Sequence, residues 1–443
     1  MISRAMKPVG SVFLIIAISL PPGVVYAGAV SGNSAAPDVK EAPALSADEY
    51  DQRVRLLESE YGVYHPAIGE TLLSLGMLYL TQHKYPQAMD SFERALQIQR
   101  INAGLYNLDQ TRLVKLMIEI ASSYKDWDKV GDNLHYLLWI YRRNYHDDEE
   151  KLLPELKELG QLIVEAYRPG AGKLPLNSLF EADDINTETE VILEGRKDSE
   201  EDRVNALYRT AIINYHIADA VNSSRVSHRE IREAMLENHR VIPDVDEDDV
   251  RENISLQSFF KGKNAIGEII DIYKSDLPGS AEKYAEALIF LGDWYLVFNL
   301  KWNAMPRYEN AYAVLEENHV PEEKIKAMMG EPKPLNFLIL PGEKIRAPNP
   351  NALYVDAVLD VPSTGWPANI KIIKTNPADN ENLRRRGKLA IAGVRYRPRF
   401  DKGKPVDAKN VEFKYVFDIQ HVNGGYLEQG GENAFFLRDV IDK

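Results

Sequence analysis

The residue types that most often carry chemistry form no complete reactive pattern in this 443-residue chain. No G-x-S-x-G segment would lift a serine onto a strand-to-helix elbow, and no H-E-x-x-H segment would set two imidazoles on one helix face. There is no cysteine, which removes thiolate nucleophiles, thiolate metal sites, disulfides and a lipid-bearing cysteine together. Gly170-Ala171-Gly172-Lys173 has the look of a phosphate loop, but Tyr167 stands where the first glycine belongs and Leu174 follows the lysine. Asp244, Asp246 and Asp248 have the opening spacing of a calcium loop. Asp249 then occupies the glycine position and Ser255 that of the bidentate glutamate, so an acidic helix start suits the segment better. Among His216, His228 and His239 no two are four residues apart, and packing or surface roles are expected for them. The reading is a protein without catalytic residues, cofactor or metal. A site assembled from residues distant in sequence would leave no such trace, so an envelope hydrolase stays open as an alternative.

The N-terminus combines Arg4 and Lys7, an apolar run over 12–20 and the small-residue exit Val25-Tyr26-Ala27, the pattern of an export signal at 1–27. The run is short beside the roughly 20 apolar residues of a spanning helix, and Pro21-Pro22-Gly23 interrupts it. Residues 28–45, rich in Ala, Gly, Ser and Pro, read as a flexible leader. Loss of Arg4 and Lys7 with the signal moves the net charge from −14 to −16. Taken over the whole chain, that charge argues against nucleic acid and against anionic lipid as partners.

Among the elements that must hold any site, one set of seven residues recurs. Leu72, Leu75, Gly76 and Tyr79 are followed by Ala88, Phe92 and Ala95; Leu288, Leu291, Gly292 and Tyr295 are followed by Ala304, Tyr308 and Ala311, all at one constant offset. Small residues at Gly76 and Ala88 would let two helices cross closely, with Tyr79 and Phe92 filling the space beside the crossing. The set resembles the tetratricopeptide repeat, a helical hairpin of about 34 residues. Weaker copies run through Ile120, Ala121, Trp127, Val130, Leu134 and Leu137, with further halves at Leu159-Gly160 and at Ala265, Ile269 and Ile272. Three to five stacked hairpins are expected over 46–330, interrupted by a long loop at 168–202 and an acidic run at 243–252.

At Glu331-Pro332-Lys333-Pro334 the helical period stops. The pattern then predicts strands over 353–361 and 369–374, a helix over 381–393 and a last strand over 411–419. Tyr396-Arg397-Pro398 and Gly403-Lys404-Pro405-Val406, in that order, resemble the TonB C-terminal family across 331–443. The family's usual first helix is replaced by a proline-rich stretch at 341–350. The expected fold class is α+β: a tetratricopeptide-like helical array followed by a small TonB-like strand and helix domain.

On the first helix of each clear unit, Leu73, Met77 and Leu80, then Ile289, Asp293 and Leu296, would line a concave face suited to an apolar segment; packing against a neighbouring hairpin is the other reading. The family resemblance implies a sheet edge at Val411, Phe413, Tyr415 and Phe417 that accepts a partner strand, such as a peptide of an outer-membrane transporter or another TonB-system component. The same edge could instead be blunted, covered or paired in a dimer. Arg384-Arg385-Arg386 reads as a basic helix face that is either solvated or met by an acidic partner. The expectation is a non-catalytic periplasmic adaptor or scaffold for other envelope proteins, with no stable membrane span in the mature form. The alternative is a TonB-type energy transducer held by an uncut anchor and acting on outer-membrane transport. Intact-mass measurement of the native protein separates the two: cleavage after Ala27 or Ala29 is expected, and an intact Met1 in a membrane fraction supports the transducer.

Overall fold

The computed structural model describes residues 45–123, 126–166, 176–194, 196, 199–222, 226–241, 246–335, 353–422 and 425–429. The export signal, the leader up to residue 44, the phosphate-loop-like 170–173, Asp244 and the prolines of 341–350 lie outside the described residues.

Helices occupy the chain from residue 47 to residue 329. They are α1 (Ala47–Tyr61), α2 (Pro66–Thr81), α3 (Tyr85–Ala103), α4 (Thr111–Ser123), α5 (Trp127–Tyr145), α6 (Glu149–Ala166) and α7 (Leu176–Leu193). There follow α8 (Glu200–Asn222), α9 (His228–Glu237), α10 (Glu247–Ser275), α11 (Ala281–Val297), α12 (Lys301–Glu317) and α13 (Glu322–Met329). Their starts are written locally. Ser46 and Glu49 form a reciprocal capping box on α1, Ser227 and Glu230 do the same on α9, and Pro66 opens α2 where its missing N–H costs nothing. The Asp246 carboxylate accepts from the Asp249 amide at the start of α10, so it serves as a helix cap.

From α1 to α12 successive helices pack on one another, except that α8 pairs with α10 while α9 lies chiefly on α7. The crossings of α2 with α3 and of α11 with α12 are set by glycine. A Cβ at Gly76 would fall inside the contact envelope of the Phe92 ring, and one at Gly292 inside that of Tyr308. Gly262 of α10 stands in the same relation to Trp294 of α11. Leu72, Leu75, Ala88, Phe92 and Ala95 are buried in the first of these hairpins, as are Leu288, Leu291, Tyr295, Ala304, Tyr308 and Ala311 in the second; Tyr79 is half-buried.

The expected loop at 168–202 is corrected: α7 fills Leu176–Leu193 and α8 begins at Glu200. The two helices hide polar residues, with Asp183, Asn186, Thr189, Arg209, Thr210 and Asn214 all buried, so no apolar stripe marks either one. Many of these groups bond one another, although Arg209 Nη2 is buried without a hydrogen-bond partner. Asp183 accepts from Lys261 Nζ at 2.7 Å, Asn214 Nδ2 at 2.9 Å and Arg240 Nη2 at 3.1 Å, while Asn186 accepts from Arg209 Nε at 3.1 Å.

Beyond the helices come β1 (Lys333–Pro334), β2 (Tyr354–Val361), β3 (Ala368–Asn376), α14 (Glu381–Gly393), β4 (Tyr396–Arg397), β5 (Arg399–Asp401), β6 (Lys404–Val406), β7 (Ala408–Val416), β8 (Asp418–Val422) and β9 (Gly425–Gln429). An antiparallel sheet has the order β3-β2-β7, and three two-stranded pairs join β1 to β4, β5 to β6 and β8 to β9. Alternation along β2 buries Val355, Ala357, Leu359 and Val361 against Leu383 and Ile391 of α14. The expected last strand, 411–419, is split at Phe417: β7 ends at Val416, although the Phe417 amide still donates to the Leu353 carbonyl at 2.8 Å in the β2 register, and β8 opens at Asp418 to pair with β9. The architecture is α+β, mostly helical with a small antiparallel sheet near the C-terminus.

Gly76→Leu should wedge α2 from α3 and cost about 3 kcal/mol or more, read as a fall in the urea midpoint. Adding Phe92→Ala, which vacates the same space, should recover part of that loss.

Candidate functional site

Three places can be compared: the inner face of the helices, the junction between the last hairpin and the strands, and the two edges of the sheet. Leu73, Met77 and Leu80 are half-buried on α2 and pack on the helical core. Their counterparts on α11 are not open. Ile289, Asp293 and Leu296 are each 3–4% exposed, so their assignment to a partner-binding face is corrected. The reason is that the chain's own strand segment covers them. β4 packs on α11, and Gly365, in the turn between β2 and β3, sits close to the Leu296 side chain. Gly365 holds φ +78°, and a Cβ there would run into the Tyr396 carbonyl oxygen, so the place admits no side chain.

The motif residue Arg397 explains the cover. Its guanidinium reaches both carboxylate oxygens of Asp293, with Nε to Oδ1 at 2.8 Å and a second bond from Nη2 to Oδ2. Nη1 donates to the Met328 carbonyl at 3.1 Å, and the Tyr308 hydroxyl donates to Asp293 Oδ1 at 2.8 Å. Burial works against the Arg397 charge, but the Asp293 carboxylate outweighs it and pushes the arginine's pKa up. Burial, reinforced by the same carboxylate, holds the Tyr308 hydroxyl well above the usual phenol range. Around this pair, Phe400 meets the Tyr308 ring at 5.6 Å, Arg395 donates to Asn299 Oδ1 at 2.7 Å, and the Arg395 guanidinium lies 3.2 Å from the Trp366 ring centroid. Burial brings the Arg395 pKa down to about 10. Tyr396 is fully buried beside Phe413, and Pro398 links β4 to β5. This assembly is a clasp: Arg397, Asp293 and Tyr308 are bonded to one another, while the buried Tyr396 hydroxyl has no hydrogen-bond partner.

The sheet edges differ from each other. On β3 the register slips between Asp356 and Ala357 of β2, Ile373 bulges outward, and Arg384 Nη1 donates to the Ile372 carbonyl at 2.7 Å. Bulge and guanidinium together blunt that edge. Among the described residues β7 pairs with β2 on one side and with no strand on the other. Val411, Phe413 and Tyr415 are half-buried along the apolar face of the sheet, leaving their backbone at its margin. Phe417 is corrected: it lies one residue past the end of β7, is buried, and meets the Tyr415 ring edge-on at 5.0 Å.

Sequence reasoning missed two recurring or paired features. Asn102 Nδ2 donates to the carbonyls of Tyr64 and Ile98, both at 2.8 Å; Asn144 repeats this forty-two residues later with Tyr106 at 2.7 Å and Ile140 at 2.8 Å. The shared Tyr and Asn spacing was available as a signal. The Asp293–Arg397 pair left only a weaker one, an acid on an otherwise apolar helix face. Among the described residues there is no group of three His, Asp or Glu arranged to hold a metal. His216 is buried beside Tyr215, and His228 Nε2 accepts from Arg251 Nε at 2.9 Å.

No family model matches the chain, and no curated protein matches it.

Removing one member of the clasp should be worse than removing both. Arg397→Met leaves a buried carboxylate alone and should cost about 3–5 kcal/mol in chemical denaturation, whereas Arg397→Met with Asp293→Leu should recover most of it.

Proposed function

We propose that this chain is a non-catalytic adaptor of the bacterial envelope that receives an extended segment of another envelope protein as an added strand on β7. The observation that carries the reading is the asymmetry of the sheet: Arg384 sits on the β3 edge beside a bulge, while β7, past its own bulge at Lys409 and Asn410, keeps unbroken register with β2 from Val411 to Val416 and pairs with no other described strand. An unpaired strand presents alternating N–H and C=O groups that an extended backbone can match, and Phe413 and Tyr415 offer apolar contact to its alternate side chains. Two further points support it. The motif order of Tyr396-Arg397-Pro398 and Gly403-Lys404-Pro405-Val406 resembles that of the TonB C-terminal family, and the apolar run at 12–20 suits export. The helical part, which resembles tetratricopeptide repeats, holds a second partner on the α2 side, where Leu73, Met77 and Leu80 remain partly exposed while the equivalent α11 face is taken by the clasp.

A photo-crosslinking residue at Glu412 on β7 should capture an extended partner segment in intact cells, and one at Ile373 on β3 should capture none. Hydrogen exchange of the purified complex should protect every second amide of the captured segment, the mark of strand pairing. Capture mapping to a helix or a loop of the partner, or equal capture at both edges, overturns the proposal.

A further inference from the structure

Charge is unevenly distributed along this acidic chain. Residues 353–417 hold thirteen Lys and Arg against seven Asp and Glu, while the whole protein carries −14. The surplus gathers at the blunted side of the sheet. On α14, Arg384 and Lys388 lie one turn apart on the flank facing the β3 edge, and Arg385 and Leu389 lie one turn apart on the outer face. On the opposite face of the sheet, β3 contributes Lys371 and Lys374, which register with Val358 and Asp356 of β2. Arg384 is engaged by the Ile372 carbonyl and Glu381, and Lys374 approaches the Tyr354 ring. Arg385 and Lys388 form no ion pair among the described residues, and Lys371 lies in the field of the Asp360 carboxylate without an ion pair. The acids nearby are Asp379 and Glu381 at the start of α14, Asp356, already paired with Lys414, and Asp360, which faces Lys371 but accepts from Asn369 and the Asn410 amide. Two aliphatic side chains stand out from this basic fringe: Leu389 is 69% exposed and Ile373 is 60% exposed.

We propose that the β3 and α14 side of the sheet is a peripheral docking surface for bilayers carrying anionic phospholipid headgroups. Cations spread along a protruding edge match a plane of negative charge, and the two aliphatic side chains would enter the zone beneath the headgroups. The rest of the chain, strongly acidic, is repelled by the same plane and turns away from it. β3 and β7 are opposite margins of one sheet, so docking at β3 leaves the β7 margin facing away from the lipid. The expectation drawn from the net charge of the whole chain, that anionic lipid is disfavoured, overlooks this segregation. The proposal does not rest on strand addition at β7.

The test is sedimentation of the full chain with vesicles of phosphatidylglycerol in phosphatidylcholine, compared with phosphatidylcholine alone. Binding is expected only to the former and should fade as salt rises. Arg385→Gln with Lys388→Gln should weaken it roughly thirty-fold. Leu389→Ser should weaken it roughly ten-fold. All three positions are exposed, so the urea midpoint should stay put, whereas Lys301→Gln with Arg307→Gln on α12 should leave vesicle binding nearly unchanged. Equal binding to both lipids, binding to neither, or wild-type binding by the Arg385 and Lys388 variant overturns the proposal. A low-salt dimer formed without lipid and abolished by that variant, with no vesicle binding, would assign the patch to the acidic helices of a second copy and would also overturn it.

Discussion

A carboxylate and a guanidinium taken out of water must find each other, and in this chain they come from segments far apart in sequence. Asp293 sits on a helix otherwise buried by apolar contacts, and Arg397 on a strand of two residues. Neither environment could hold a lone charge, since the cost of desolvating either ion is several kcal/mol. The pair therefore dictates where the strand segment lies: across α11, with Tyr308, Phe400 and Trp366 gathered round it. The helices and the sheet meet at a chemically specified place, and the last hairpin is sealed by the chain that follows it.

A second polar core lies among α7, α8 and α10, where Asp183 meets Lys261, Arg240 and Asn214. Here burial raises the pKa of Glu190, which accepts from the Thr210 hydroxyl. Gly160 of α6 leaves room for the Arg209 side chain at 3.3 Å from where a Cβ would stand. Both cores use directional bonds where a helical array more often uses aliphatic contact, and directional bonds admit fewer alternative packings than an all-apolar interface does.

What could be read in advance follows from this distinction. The hairpins of α2 with α3 and α11 with α12 were legible because Gly76 and Gly292 obey a steric rule that leaves the same mark wherever two helices cross closely. The strands β2 and β3 and the helix α14 were legible because one face of each is apolar and periodicity shows it. By contrast α7 was hidden, since Asp183, Asn186 and Thr189 occupy the positions that periodicity searches for. Asp293 reads as an open-surface residue for a related reason: a charge on a helix suggests solvent until its partner is known, and Arg397 lies far along the chain. The net charge of the whole chain likewise concealed a basic margin on an acidic protein.

The sealed hairpin has a bearing on how such a molecule can change over evolutionary time. Solenoids lengthen by tandem duplication, and a new unit needs a free end or a joint between similar neighbours. The α12 end is occupied by a contact that names particular side chains, so a unit inserted there would separate Asp293 from Arg397. The paired asparagine contacts of Asn102 and Asn144 instead repeat with one spacing, and a further copy between them would meet the neighbours it requires. By these contacts a helical pair added between α2 and α5 would find the neighbours it needs, whereas one added after α12 would part a buried charge from its only ionic partner.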